Sequence, residues 1–153
     1  MPSTRRSEAI TDDHPDRHQR RRPRRRRTPD RRHRPDAGAT ALFVGTVRDN
    51  DPDAAGRVVE LEYSAHPDAH RFLQEIVDGL DRPDIRIAVS HRVGTLGIGG
   101  IAIVAAVSSV HRAEAFEVNR ELVERVKAEL PMWKKQVESD GSHSWVGLGR
   151  VMT

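Results

Sequence analysis

Beyond Met1 and Ile10, residues 1–36 carry almost no large apolar side chain, while 13 arginines and six acidic residues give the segment a net charge of +7. Such a stretch cannot remove enough apolar surface from water to offset its chain entropy, so a disordered basic tail is expected over 1–36. Any folded domain must then be built from 37–153, where 13 basic and 17 acidic residues give a net charge of −4. The total of 153 residues suits one domain. The arginine run Arg20–Arg22 and Arg24–Arg27, interrupted by Pro23, has the makings of a phosphate-neutralising arm. No aromatic residue is interleaved for base stacking, so a merely solvated tail is the plainer reading, and contact with nucleic acid is expected only through this tail.

The chain has no cysteine. A disulfide scaffold, a cysteine nucleophile, thiolate metal sites and iron–sulfur clusters are therefore ruled out. The longest apolar run, Ile101–Val107, is far short of the roughly 18–20 residues that cross a bilayer. No apolar stretch follows Arg5-Arg6, so no export signal is expected and a cytoplasmic location is the default.

From Asp36 onward the texture is that of a globular chain. Gly38–Arg48 is apolar, rich in β-branched residues and ends at charge, which predicts a strand. Polar residues 49–56 predict a turn, and Arg57–Tyr63 a second strand. Phe72, Leu73, Ile76, Val77 and Leu80 have helical spacing over Pro67–Leu80. Ile85–Val93 and Ile101–Ser108 predict two more strands, separated by the glycine-punctuated segment 94–100. The GIGG at 97–100 has neither the spacing nor the following helix of a phosphate loop. A long helix is predicted from His111 to Leu130, with Ser108 or Ser109 capping it, Phe116, Val123, Val126 and Leu130 on one face, and Pro131 ending it. The remainder, Met132–Val146, reads as irregular except for a short strand at Trp145-Val146. Strands and helices mix without a βαβ rhythm, so the fold class is α+β.

Lysine usage singles out one region. Of 26 basic residues only three are lysines, Lys127, Lys134 and Lys135. An ammonium can give up its proton and guanidinium cannot, so these positions are candidates for nucleophilic or acid–base work. The plainer alternative is that they complement the helix dipole and solvate the surface. His111-Arg112 at the predicted helix start could bind an anion on free backbone N–H groups, or be an ordinary exposed first turn. Arg48 ends the first strand and His91-Arg92 the third; the latter pair reads as structural. No two histidines fall at ligand spacing on one predicted element, so no metal site is expected.

The segments GATALFVGTVRDN (38–50), LEYSAHPDA (61–69), HRVGTLGIGG (91–100), AVSSVHRAEAF (106–116) and LPMWKKQVESDG (130–141) together resemble the large, catalytic subunit of molybdopterin synthase, the MoaE family. The resemblance runs over roughly 37–148. It implies an α/β hammerhead-like domain with a mixed or antiparallel sheet. It implies a sulfurtransferase that converts cyclic pyranopterin monophosphate to molybdopterin in molybdenum cofactor biosynthesis. The sulfur comes from the C-terminal thiocarboxylate of a small ubiquitin-like subunit, and the large subunit forms a homodimer within a heterotetramer. By position, Lys127 and Lys134 match the catalytic lysines. Arg48, His111 and Arg112 match phosphate-binding residues, Phe43 lines the pocket, and Lys135 joins the substrate-binding set. No metal or redox cofactor is implied.

Some positions depart from the family pattern. Gln136 stands where the family usually has Glu, Ser64 and His66 replace Glu and Tyr, and Gly100 replaces an acidic residue. The family's usual strand and helix upstream of Gly38 have no evident counterpart in the arginine-rich segment. These departures keep a second reading open: a degenerate, non-catalytic homologue that binds a partner or polyanion through its tail.

Overall fold

The computed structural model describes residues 8–12, 36–50 and 56–148. Strands β1 (Glu8–Asp12), β2 (Ala39–Thr46), β4 (Arg86–Arg92) and β6 (Ile101–Ser109) form one sheet in the order β1-β4-β6-β2. Strands β3 (Val58–Ala65), β5 (Gly94–Gly97), β7 (Met132–Glu138) and β8 (His143–Leu148) form a second, in the order β5-β3-β7-β8. Helices α1 (Ala69–Leu80) and α2 (Arg112–Glu129) pack against each other, with α2 lying on β2 and β6. All strand pairs are antiparallel except β1–β4. The α+β class expected from the sequence is the observed one.

The chain crosses between sheets at Val93, where β4 ends and β5 begins at Gly94. Gly94 has φ +88°, a left-handed conformation that a side chain would disfavour, and this reversal lets adjacent residues serve different sheets. Leu73, Ile76 and Val77 of α1 and Val118, Leu122 and Val126 of α2 are buried against Ile87, Val89, Ala105 and Val107 of the first sheet. Leu61, Tyr63, Leu96 and Met132 continue that core into the second sheet.

Three expectations need correction. Residues 1–36 are not wholly without order: the backbone of Glu8–Asp12 pairs in parallel with Ala88–Arg92 of β4. An open sheet edge supplies a row of unpaired N–H and C=O groups, and these template a strand that local composition does not favour. The other residues of 1–35 lie outside the described set. Residues 132–148 are a regular hairpin rather than an irregular tail, turning at Gly141 (φ +84°). Met132–Glu138 alternates only loosely in polarity because its two charged lysines adjoin on opposite faces, which hides the period of two. Finally, Phe116 does not join the buried face of α2: it is 66% exposed, and Ala115, Val118, Leu122 and Val126 form that face with Val123.

The start of α2 is tied down by Ser109, which is buried. Its hydroxyl accepts a hydrogen bond from the His111 N–H at 3.3 Å and donates one to Glu114 at 2.7 Å. His111, not a serine, occupies the cap position.

Candidate functional site

A cleft of about 390 Å³ opens where the two sheets meet the C-terminal end of α2. Phe43 comes from β2, Arg48 from the loop after it, His91 from β4, Tyr63 from β3, Lys127 from the last turn of α2, and Lys134 and Gln136 from β7. Each is placed by a local device. Arg48 follows Val47, whose N–H donates to the Gly100 carbonyl at 2.9 Å and whose carbonyl accepts from the Gly99 N–H at 2.8 Å. Gly99 has φ +78°, and a side chain at Gly100 would meet the Gly97 carbonyl at 2.8 Å. The glycine cluster at 97–100 is thus the clamp that holds the arginine loop.

Lys127 projects from the turn containing buried Val126. Pro131 then ends the helix, and its carbonyl accepts from the His66 N–H at 3.0 Å, which turns the chain back into β7. Strand alternation puts Met132, Lys134 and Gln136 on the cleft side. Lys135 is on the other side, 3.7 Å from Glu62 and 5.9 Å from the Trp145 ring centre. Four of the seven residues singled out from the sequence, Phe43, Arg48, Lys127 and Lys134, therefore converge on one cleft, and Lys135 faces away from it. His111 and Arg112 also lie elsewhere: fifteen residues of α-helix separate Arg112 from Lys127, about 22 Å at 1.5 Å per residue.

Among the described residues that line the cleft, Arg48, Lys127 and Lys134 carry positive charge and none is an Asp or Glu. A cleft lined by charge of one sign draws in ligands of the opposite sign, so the geometry suits an anionic ligand.

Two lining residues were not anticipated as functional. His91 was read as structural; it is 7% exposed, its Nδ1 lies 2.8 Å from the Arg92 carbonyl, and its ring meets Tyr63 edge-on at 5.2 Å. Burial pushes its pKa below the ordinary histidine value, with the Arg92 carbonyl opposing that shift. The unfolded chain then binds a proton more readily than the native one. Stability should be full above about pH 6.5 and fall as the pH drops through the unfolded value towards the native one. Thermal unfolding between pH 7.5 and 5 measures this, and His91→Asn should flatten the slope.

Gln136 is fully buried, and among the described residues neither atom of its amide has a hydrogen-bond partner. A buried unpaired polar group costs about 1–3 kcal/mol, so Gln136→Met, which keeps the length and removes the polar atoms, should raise stability by about 1 kcal/mol. Urea denaturation reads the change, and a destabilised variant would show that the amide is satisfied in solution.

The chain is similar to known proteins in sequence and in fold. The family model described as MoaE protein matches residues 22–129. The molybdopterin synthase catalytic subunit of Halalkalibacterium halodurans is 40% identical over 116 residues, covering 74% of this chain and 72% of its own length. The X-ray structure of molybdopterin synthase from Staphylococcus aureus superposes with a TM-score of 0.69 at 35% identity, covering 75% of this chain and 84% of the other. A complex of subunits 1 and 2 of the molybdopterin-converting factor from Helicobacter pylori shares the fold, with a TM-score of 0.61, 19% identity, and coverage of 72% and 73%.

Proposed function

This chain belongs to the MoaE family, and from that premise we propose that it is the catalytic subunit of a molybdopterin synthase. It converts cyclic pyranopterin monophosphate to molybdopterin with sulfur from the C-terminal thiocarboxylate of a small ubiquitin-like subunit. The observation that carries the reading is the convergence of Arg48, Lys127 and Lys134 on one cleft. Both reactants are anions, a phosphate diester and a thiocarboxylate, and three fixed cations answer both. Lys127 and Lys134 are the catalytic lysines of this scheme. An ammonium beside the reacting carbonyl stabilises the developing oxyanion and can hand a proton to a leaving oxygen. Sulfur arrives already reduced on the partner, so the transfer requires no metal or redox cofactor. The protein acts in the cytoplasm; no helix among the described residues is long and apolar enough to cross a membrane.

The partner is the small subunit, as in the Helicobacter pylori complex of two subunits. His111 and Arg112 are too far along α2 to reach the cleft of their own chain. We assign them to the cleft of a second copy in a homodimer, the core of a heterotetramer. Leu42, Val44 and Phe116 are 64%, 43% and 66% exposed on the edge strand β2 and the adjoining side of α2, an apolar surface for that second copy. Leu42→Asp with Phe116→Asp should yield a monomer by light scattering and cut product formation; a persistent dimer would place the interface elsewhere.

The test of the function is reconstitution. The purified chain is mixed with thiocarboxylated small subunit and cyclic pyranopterin monophosphate, and molybdopterin is quantified. Product establishes the enzyme. Its absence with an active small subunit would favour the degenerate homologue.

A further inference from the structure

We propose that His91 is the proton acceptor that activates water to release sulfur from its acyl carrier in this cleft. The inference rests on the sulfur-transfer reading above. When the thiocarboxylate sulfur attacks a carbon of the pterin side chain, the new C–S bond displaces an oxygen substituent from that carbon, which leaves with its electron pair and takes up a proton. The sulfur is then bonded to both, and an S-acyl thioester joins the small subunit to the pterin. Release then needs hydrolysis. Water attacks the thioester carbonyl, one water proton passes to the base, and the C–S bond breaks. The electron pair leaves with sulfur as a thiolate on the pterin. The small subunit departs as a carboxylic acid that ionises to solvent, and the base returns its proton to the thiolate or to water.

The residues identify the base. Arg48 faces the cleft from the loop after β2, Lys127 from α2 and Lys134 from β7, and all three are cations suited to the oxyanion rather than to the proton. The Gln136 amide is not basic. His91 lines the same cleft from β4. A carbonyl oxygen can only accept, so the 2.8 Å contact with Arg92 puts the ring proton on Nδ1 and leaves a lone pair on Nε2. Tyr63, the titratable neighbour from β3, holds the ring at an interplanar angle of 72°. The neighbouring strand β6 sets Ile103 opposite His91, and β1 sets the backbone of Thr11 there. Burial, which keeps the imidazole neutral, is what a base working at neutral pH requires.

The experiment uses the reconstituted full-length complex with wild type, His91→Asn and His91→Gln. Asparagine sets an amide N–H near the position of Nδ1, so the tie to the Arg92 carbonyl is kept while Nε2 is lost. Molybdopterin and the intact mass of the small subunit are followed in quenched samples from pH 5 to 9. General-base assistance typically contributes 10²–10⁴-fold, so a loss of about a hundredfold is expected in both variants. A small subunit heavier by the bound pterin should accumulate. The wild-type rate should fall at acid pH as the imidazole protonates, and the variants should lose that limb. Loss of product without the adduct would mark a purely structural role and overturn the proposal, as would unchanged rates or an unchanged pH profile. Failure of the wild type to make any molybdopterin would instead overturn the functional reading, and this proposal with it.

Discussion

Lys127→Ala should reduce molybdopterin formation at least a hundredfold in the reconstituted system while leaving the fold intact. The lysine sits in the last turn of α2 and lines the cleft. Its aliphatic stem is not part of the buried core, so truncation removes a charge rather than packing. A single preorganised donor aimed at a developing oxyanion is typically worth about 10²–10³ in rate. Lys127→Arg separates the two possible duties of the group. Arginine keeps the positive charge but cannot exchange its proton near neutral pH. If Lys127→Arg recovers most of the activity, the site needs charge there; if it stays as low as alanine, the site needs proton transfer. Activity above a tenth of wild type in Lys127→Ala would remove this residue from the chemistry. Thermal unfolding of the variant, expected within a degree or two of wild type, guards against misreading a folding defect.

The second large effect is on stability. Leu122→Ala should cost about 3–4 kcal/mol, within the 2–5 kcal/mol found for leucine truncations in close-packed cores. Leu122 is fully buried in the middle of α2 and belongs to the cluster that joins both helices to the first sheet. The loss is large beside the 5–15 kcal/mol that typically separates folded from unfolded domains. Urea unfolding should show a lower midpoint at an unchanged slope, since the surface exposed on unfolding is nearly the same. A cost below 1 kcal/mol would mean that the site collapses around the smaller side chain. The same helix carries Lys127 five residues further on, so a Leu122→Ala protein that remains folded should also bind the reactants less well.

Much of the fold was legible because its signals are local. The strands at 39–46, 58–65, 86–92 and 101–109 and both helices lie within a few residues of the ranges predicted from apolar spacing. Pro131 ended α2 where a missing N–H and a clashing ring must end a helix. What escaped depended on partners distant in sequence. β1 exists as a strand because β4 offers it an edge, and nothing in EAITD announces that. β7 owes its regularity to β3 and β8 on either side of it.

The site divides along the same line. Lysine scarcity marked Lys127, Lys134 and Lys135 alike, the strand end marked Arg48, and the series of motifs added Phe43, because residue chemistry and spacing are properties of the chain itself. That Lys134 faces the cleft and Lys135 faces Glu62 follows from the register of β7. Whether a buried histidine is filler or a wall of the cleft depends on the tertiary packing that brings His91 of β4 against Tyr63 of β3. The sequence by itself determined which residues have the chemistry to bind and transfer. Only the tertiary structure decided which of them share a cavity, because a pair far apart in the chain meets only through strand register and helix packing. It also put His111 and Arg112 a full helix away from the lysines they were grouped with.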